Sequence, residues 1–146
     1  MNTEPPLDDT ASGAAPLDDL RAELDVILAD ESLRAPGRPH LRLLTLTCAV
    51  ISEALRRRGM IATLVGGGAI EFHAPGAFAT DDADLVVEPA SGLLDRKQLQ
   101  EVFVSLGFER SARHWVRDGF FVEVPGTRLE DPFSEFPVGP YTLRVV

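Results

Sequence analysis

From residue 17 onward the apolar positions recur first with a helical period and then with a strand period. In PLDDLRAELDVILAD they fall at 20, 24, 27 and 28. That spacing lines one side of a helix, with Asp18 or Asp19 placed to cap it. APGRP breaks this helix. HLRLLTLTCAVISEALRRRG is then apolar on nearly every side from Leu41 to Leu55 and closes on Arg56, Arg57, Arg58 and Gly59, the cations and glycine that favour a helix C-terminus. It predicts a central buried helix. MIATLVGG is short, β-branched and ended by glycine, so it reads as a buried strand. GGAIEFHA reads as one or two helical turns opening at the glycines, PGAFATDD as a loop, and ADLVVE as a second buried strand. Asp95 is placed to cap DRKQLQEVFVSLG, whose apolar positions 99, 102, 103 and 106 share a face before Gly107 stops the helix. HWVRDGFFVEV carries two β-rich runs around Asp118-Gly119, a dipeptide suited to a two-residue hairpin turn. YTLRVV is the last strand. Helix, strand, short helix, strand, helix and hairpin together predict an α+β fold, a small mixed β-sheet flanked by helices.

Composition narrows this picture. The 146 residues have room for one core. Residues 1–16 mix Pro5, Pro6, Gly13 and Pro16 with small polar residues and lack hydrophobic periodicity, so they predict a disordered tail ahead of a domain over 17–146. The acidic, proline-rich start is unlike the basic and then apolar pattern of a secretory signal, and no apolar run approaches the roughly 18 residues of a membrane span. Cys48 is the only cysteine, which rules out an internal disulfide and a cysteine-based zinc site. The expectation is a cytoplasmic protein with no membrane partner. The net charge of −9 argues against broad adhesion to nucleic acid, while leaving room for a local basic patch.

The chemistry lies in LVGGGAIEFHAPGAFATDDADLVVE. On a strand Asp82 and Asp84 project to the same face with backbones about 7 Å apart. Like charges so placed call for a cation, and oxygen-only ligands suit Mg²⁺, which keeps several waters and takes one or two carboxylates plus phosphate oxygens. Gly66, Gly67 and Gly68 let backbone N–H groups approach a phosphate, with the positive end of the short helix behind them. Glu123 in FFVEV is the candidate third acid, because it alternates onto the opposite face from Phe120, Val122 and Val124. It is placed to bind metal or to act as general base toward a hydroxyl. Asp81 alternates away from Asp82. His73, Trp115 and Cys48 read more simply as packing residues.

These residues resemble the nucleotidyltransferase superfamily with the DNA polymerase β fold, and within it the small nucleotidyltransferase-like proteins that include abortive-infection and toxin–antitoxin toxins. The "VGGxA" pattern is similar to Val65-Gly66-Gly67-Gly68-Ala69. The "TxDxDLVV" pattern is similar to Thr80-Asp81-Asp82-Ala83-Asp84-Leu85-Val86-Val87, and Glu123 takes the place of the third acid. The resemblance implies a metal-dependent transfer of a nucleoside monophosphate from NTP to a hydroxyl, with two Mg²⁺ held by Asp82, Asp84 and Glu123 and the triphosphate cradled by Gly66, Gly67 and Gly68. The implied acceptor is an RNA end such as that of tRNA, a protein hydroxyl or a small molecule, and an antitoxin or a second copy of the chain is an implied partner. Two departures set an alternative beside it. Phe78 stands where many relatives carry an arginine, and relatives usually continue past the strand at 141–146, so the chain is expected to lack an acceptor-binding part. That alternative is a catalytically silent binding or toxin–antitoxin interaction module.

Overall fold

The computed structural model describes residues 16–34, 38–75 and 82–146. Apart from Pro16, the tail expected over 1–16 lies outside the described residues, as do Phe78, Thr80 and Asp81. The elements in chain order are α1 (Asp18–Ala29), a 3₁₀ turn (Glu31–Arg34), α2 (Arg38–Arg56), β1 (Met60–Val65), α3 (Gly66–His73), β2 (Asp82–Pro89), α4 (Arg96–Ser105), β3 (Glu109–Ser111), β4 (His114–Arg117), β5 (Phe120–Glu123), β6 (Ser134–Val138) and β7 (Tyr141–Val145).

The helix ends show which capping expectations hold. Asp95 caps α4, its Oδ1 accepting from the backbone N–H groups of Lys97 and Gln98 at 3.0 and 3.1 Å. Neither Asp18 nor Asp19 caps α1. The cap position belongs to Leu17, which is buried, and both aspartates fall in the first turn. Asp19 is engaged elsewhere: its two oxygens accept from Arg57, just past the end of α2, at 2.8 and 2.9 Å, and this hydrogen bond lowers its pKa. Arg57 also donates to the Pro16 carbonyl, so the chain enters α1 tied to the end of α2.

The seven strands form one mixed sheet in the order β3-β4-β5-β2-β1-β7-β6. At its centre β1 and β2 are antiparallel, β2 is parallel to β5, and β1 is parallel to β7. The two flanks return antiparallel. The α+β class and the mixed sheet agree with the sequence reading, but β3 and β6 were not expected. β3 is three exposed polar residues, and β6 carries Pro137, which an edge strand tolerates because one side of it has no ladder to feed.

Paired residues share a sheet face, so the register sorts the side chains into two layers. Leu64, Leu85 and Val145 lie on one face with Ala62, Val87 and Leu143, all buried in the core beneath α2. Trp115 belongs to this face and stacks on Phe103 of α4, with centroids 5.1 Å apart and planes at 5°. Cys48 sits in the same core, where burial pushes its thiol up to about 12. The packing roles expected for Trp115 and Cys48 therefore hold. His73 is also a packing residue, its Nε2 hydrogen-bonded with the Val146 carbonyl and its ring against Phe72 and Phe136.

The other face carries no described helix. After β5 the chain runs on beside β2, where the Val87 N–H donates to Gly126, and Phe133 then lies over the Arg144 guanidinium at 3.6 Å. The hairpin turn is the one expected: Asp118 and Gly119 both have left-handed backbones, φ 49° and 78°, as a type I′ turn demands. Next to it Arg117 donates to the Leu106 carbonyl at the end of α4 and to Asp25 on α1, joining hairpin and helices.

Candidate functional site

One row of the helix-free face runs across four strands. His114 on β4 pairs with Glu123 on β5, Glu123 with Asp84 on β2, and Asp84 with Val65 on β1. The next row places Asp82 opposite Phe121. Asp82, Asp84 and Glu123 therefore share one face of adjacent parallel strands, with Asp84 and Glu123 directly opposite each other. Three local signals produce this. Alternation along β2 turns Ala83 and Leu85 into the core and Asp82 and Asp84 out. Alternation along β5 does the same with Val122 and Glu123. The two-residue turn at 118–119 fixes His114 across from Glu123.

Gly66 completes the arrangement at the end of β1. Its φ is 65°, and a Cβ built there would stand 2.6 Å from Oδ2 of Asp84. Only glycine allows both the left-handed backbone and the carboxylate pressed against it. Gly68 serves the packing instead. It is buried, and a Cβ on it would meet Leu64 at 3.0 Å and Leu44 at 3.6 Å, so its missing side chain lets α3 pack onto β1 and α2. Gly67 follows in the first turn of α3.

The electrostatics centre on Asp84. Burial raises its pKa first, then the charges of Glu123 and Asp82, while His114 and Arg113 act in the opposite direction. Glu123 is turned toward those two residues: one oxygen stands 3.4 Å from Nε of Arg113 and the other 3.6 Å from Nε2 of His114. Neither Arg113 nor His114 figured among the expected site residues. Counting outward from the Asp118-Gly119 turn finds His114, because a two-residue loop fixes every pair of the hairpin.

The all-oxygen chemistry of the acid row fits a hard cation; burial, and after it the charges of Glu123 and Asp82, raise the pKa of Asp84, and the repulsion between these acids is what such a cation relieves. As the side chains stand, no group of three or more His, Cys, Asp or Glu among the described residues is gathered closely enough to hold a metal ion. No helix among the described residues is long and apolar enough to cross a membrane.

The class defined by these observations is a mixed-sheet α+β protein with an acid row on its helix-free face. Comparison with protein-family models, curated proteins and solved structures gives no match to the chain.

Proposed function

We propose that the acid row is the active site of a metal-dependent nucleotidyltransferase, which moves a nucleoside monophosphate from NTP to a hydroxyl acceptor. The observation that supports this most directly is the in-register pairing of Asp84 with Glu123 on parallel strands, beside a glycine that fits against the Asp84 carboxylate. In this reading Asp82, Asp84 and Glu123 hold Mg²⁺, and Gly66 and Gly67 offer backbone N–H groups to the triphosphate. Gly68 supports them by seating α3 on the core. When bound, the metal supplies charge neutralisation at the phosphates and lowers the pKa of an attacking oxygen. Glu123 is the base that accepts the acceptor hydroxyl's proton. The hydroxyl oxygen forms the new bond to the α-phosphorus, the bond to the β-phosphate bridge breaks, and pyrophosphate leaves with that electron pair.

One observation favours the second reading, a silent interaction module whose partner is an antitoxin or another copy of the chain. Glu123 already has the Arg113 guanidinium at 3.4 Å and the His114 ring at 3.6 Å as neighbours without metal.

Ligand linkage separates the two. A ligand specific to the folded state at a hundredfold excess over its Kd stabilises by about 2.7 kcal/mol, which raises Tm by several degrees in a chain of this size. Mg²⁺ with NTP is expected to give that shift, Mg²⁺ alone a smaller one, and Asp82→Asn/Asp84→Asn almost none. Glu123→Gln is expected to abolish pyrophosphate release while sparing much of the binding. Absence of any shift with all four nucleotides at millimolar concentration would overturn the enzyme reading in favour of the silent module.

A further inference from the structure

In an in-line displacement the attacking and leaving oxygens stand on opposite sides of the phosphorus. With pyrophosphate at the β1–α3 turn and the hydroxyl at Glu123 on β5, that axis crosses the strands, and the nucleoside leaves it sideways, along them. One direction is closed. There the next row of the helix-free face is Thr63 with Val86, 0% and 8% exposed. In the other direction the row is Asp82, Phe121, Val116 and Glu109, taken across β2, β5, β4 and β3. This outer row opens onto a cavity of about 670 Å³ lined by Glu109, Ser111, Val116 and Phe121, a volume within the roughly 300–1,000 Å³ usual for small-molecule sites.

Phe121 is half-buried and gives the cavity a flat apolar floor beside Val116. The His114 ring meets it at 85° with centroids 5.8 Å apart, and among the described residues no other ring or guanidinium lies against it. Arg110 and Arg117 also border the space, but both are engaged: Arg110 with the Ala112 carbonyl and the Trp115 ring, Arg117 with the Leu106 carbonyl and Asp25. Glu109 and Ser111 share one face of β3, and the side chain of neither has a hydrogen-bond or ion-pair partner among the described residues. Glu109 lies three strands from Asp82, about 14 Å across the sheet.

We infer that this cavity is the nucleoside subsite of the nucleotidyltransferase proposed above, with the base stacked on Phe121 and its far edge donating to Glu109. The inference rests on that reading and deepens it. An ionised carboxylate only accepts hydrogen bonds, so Glu109 selects bases whose edge carries an amino group. Guanine presents two adjacent donors and adenine and cytosine one amino group each. Uracil has a single imino N–H between two carbonyls, which the carboxylate repels, so Glu109 discriminates against UTP.

The test is isothermal titration calorimetry of the full chain in Mg²⁺ with GTP, ATP, CTP and UTP, and with inorganic tripolyphosphate as a probe that has no nucleoside. GTP is expected to bind at least tenfold more tightly than UTP, with ATP and CTP between them. Phe121→Ala is expected to weaken GTP and ATP about tenfold or more, the scale of a lost base–aromatic stack, and to leave tripolyphosphate unchanged. Phe121→Leu, which keeps the apolar contact but not the flat ring, gives a second reading should Phe121→Ala fail to fold. Glu109→Gln, on an exposed edge strand, is expected to bring the GTP-to-UTP ratio close to one. UTP binding as tightly as GTP, a ratio unmoved by Glu109→Gln, or nucleotide affinity undiminished in both Phe121 variants overturns the subsite and leaves nucleotidyl transfer standing. Failure of all four nucleotides and of tripolyphosphate to bind overturns both.

Discussion

Gly66 offers a measurement of how closely the Asp84 carboxylate is pressed against the β1–α3 turn. Replacing Gly66 by alanine has two separable costs. Holding a residue with a Cβ in the left-handed region costs about 1–2 kcal/mol. The new Cβ, 2.6 Å from Oδ2 of Asp84, also forces that carboxylate to swing away, and displacing it from its rotamer adds about 1 kcal/mol. Gly59 isolates the first cost, since its φ is 78° and a Cβ there meets nothing within 4 Å. Asp84→Ala removes the second, because the Asp84 Cβ lies at an ordinary 3.5 Å. Urea unfolding followed by circular dichroism should therefore give a loss of roughly 2–3 kcal/mol for Gly66→Ala, against about 1–2 kcal/mol for Gly59→Ala. A double-mutant cycle between Gly66→Ala and Asp84→Ala should show a coupling of about 1 kcal/mol. Zero coupling, with Gly66→Ala no worse than Gly59→Ala, would refute the contact and with it the glycine's proposed role in positioning the acid.

The raised pKa of Asp84 means that the folded chain holds this proton more tightly than the unfolded chain, so the ionised group subtracts stability as pH rises through the folded value. Without metal, Asp84→Asn should raise Tm at neutral pH, with the gain disappearing at acid pH; a loss at neutral pH would mean a structural partner for the carboxylate. Arg117→Met should cost about 2 kcal/mol by stranding the Leu106 carbonyl and releasing Asp25, a drop of roughly 6 °C in Tm for a chain of this size. Asp95→Ala should cost about 1 kcal/mol through two unsatisfied N–H groups at the start of α4, and Asp95→Asn much less, both read by thermal melts.

Local signals made much of the fold legible in the sequence. α2 showed through its apolar run, α4 through its periodicity and cap, and the β4–β5 hairpin through Asp118-Gly119. Asp18 and Asp19 misled because a carboxylate near a helix start looks the same whether it caps the helix or, as with Asp19, reaches another helix. β3 and β6 were hidden because edge strands need neither an apolar face nor a full ladder. At the candidate site, alternation alone put Asp82 and Asp84 on one face and Glu123 on the outer face of β5. That β5 lies beside β2, with Glu123 level with Asp84, depends on a parallel pairing with no connecting turn to set its register. The part played by Gly68 was likewise hidden, since only packing distinguishes a glycine that approaches a ligand from one that seats a helix.

That parallel pairing also bears on how the chain acquires its shape. β3, β4 and β5 are neighbours in sequence and can form a meander through short turns, whereas β2 meets β5 only after α4 and the whole meander have been bridged. Loop closure of that kind delays contact formation. The acid row is thus expected to be among the last features to form, with backbone amides of the β4–β5 hairpin protected from hydrogen exchange earlier in refolding than those linking β2 to β5. A chain stalled before that step would already have helices and a hairpin, yet it would expose the bare edges of β2 and β5 to other chains. The seam that assembles the acids is then also the place where slow folding carries its greatest risk of aggregation.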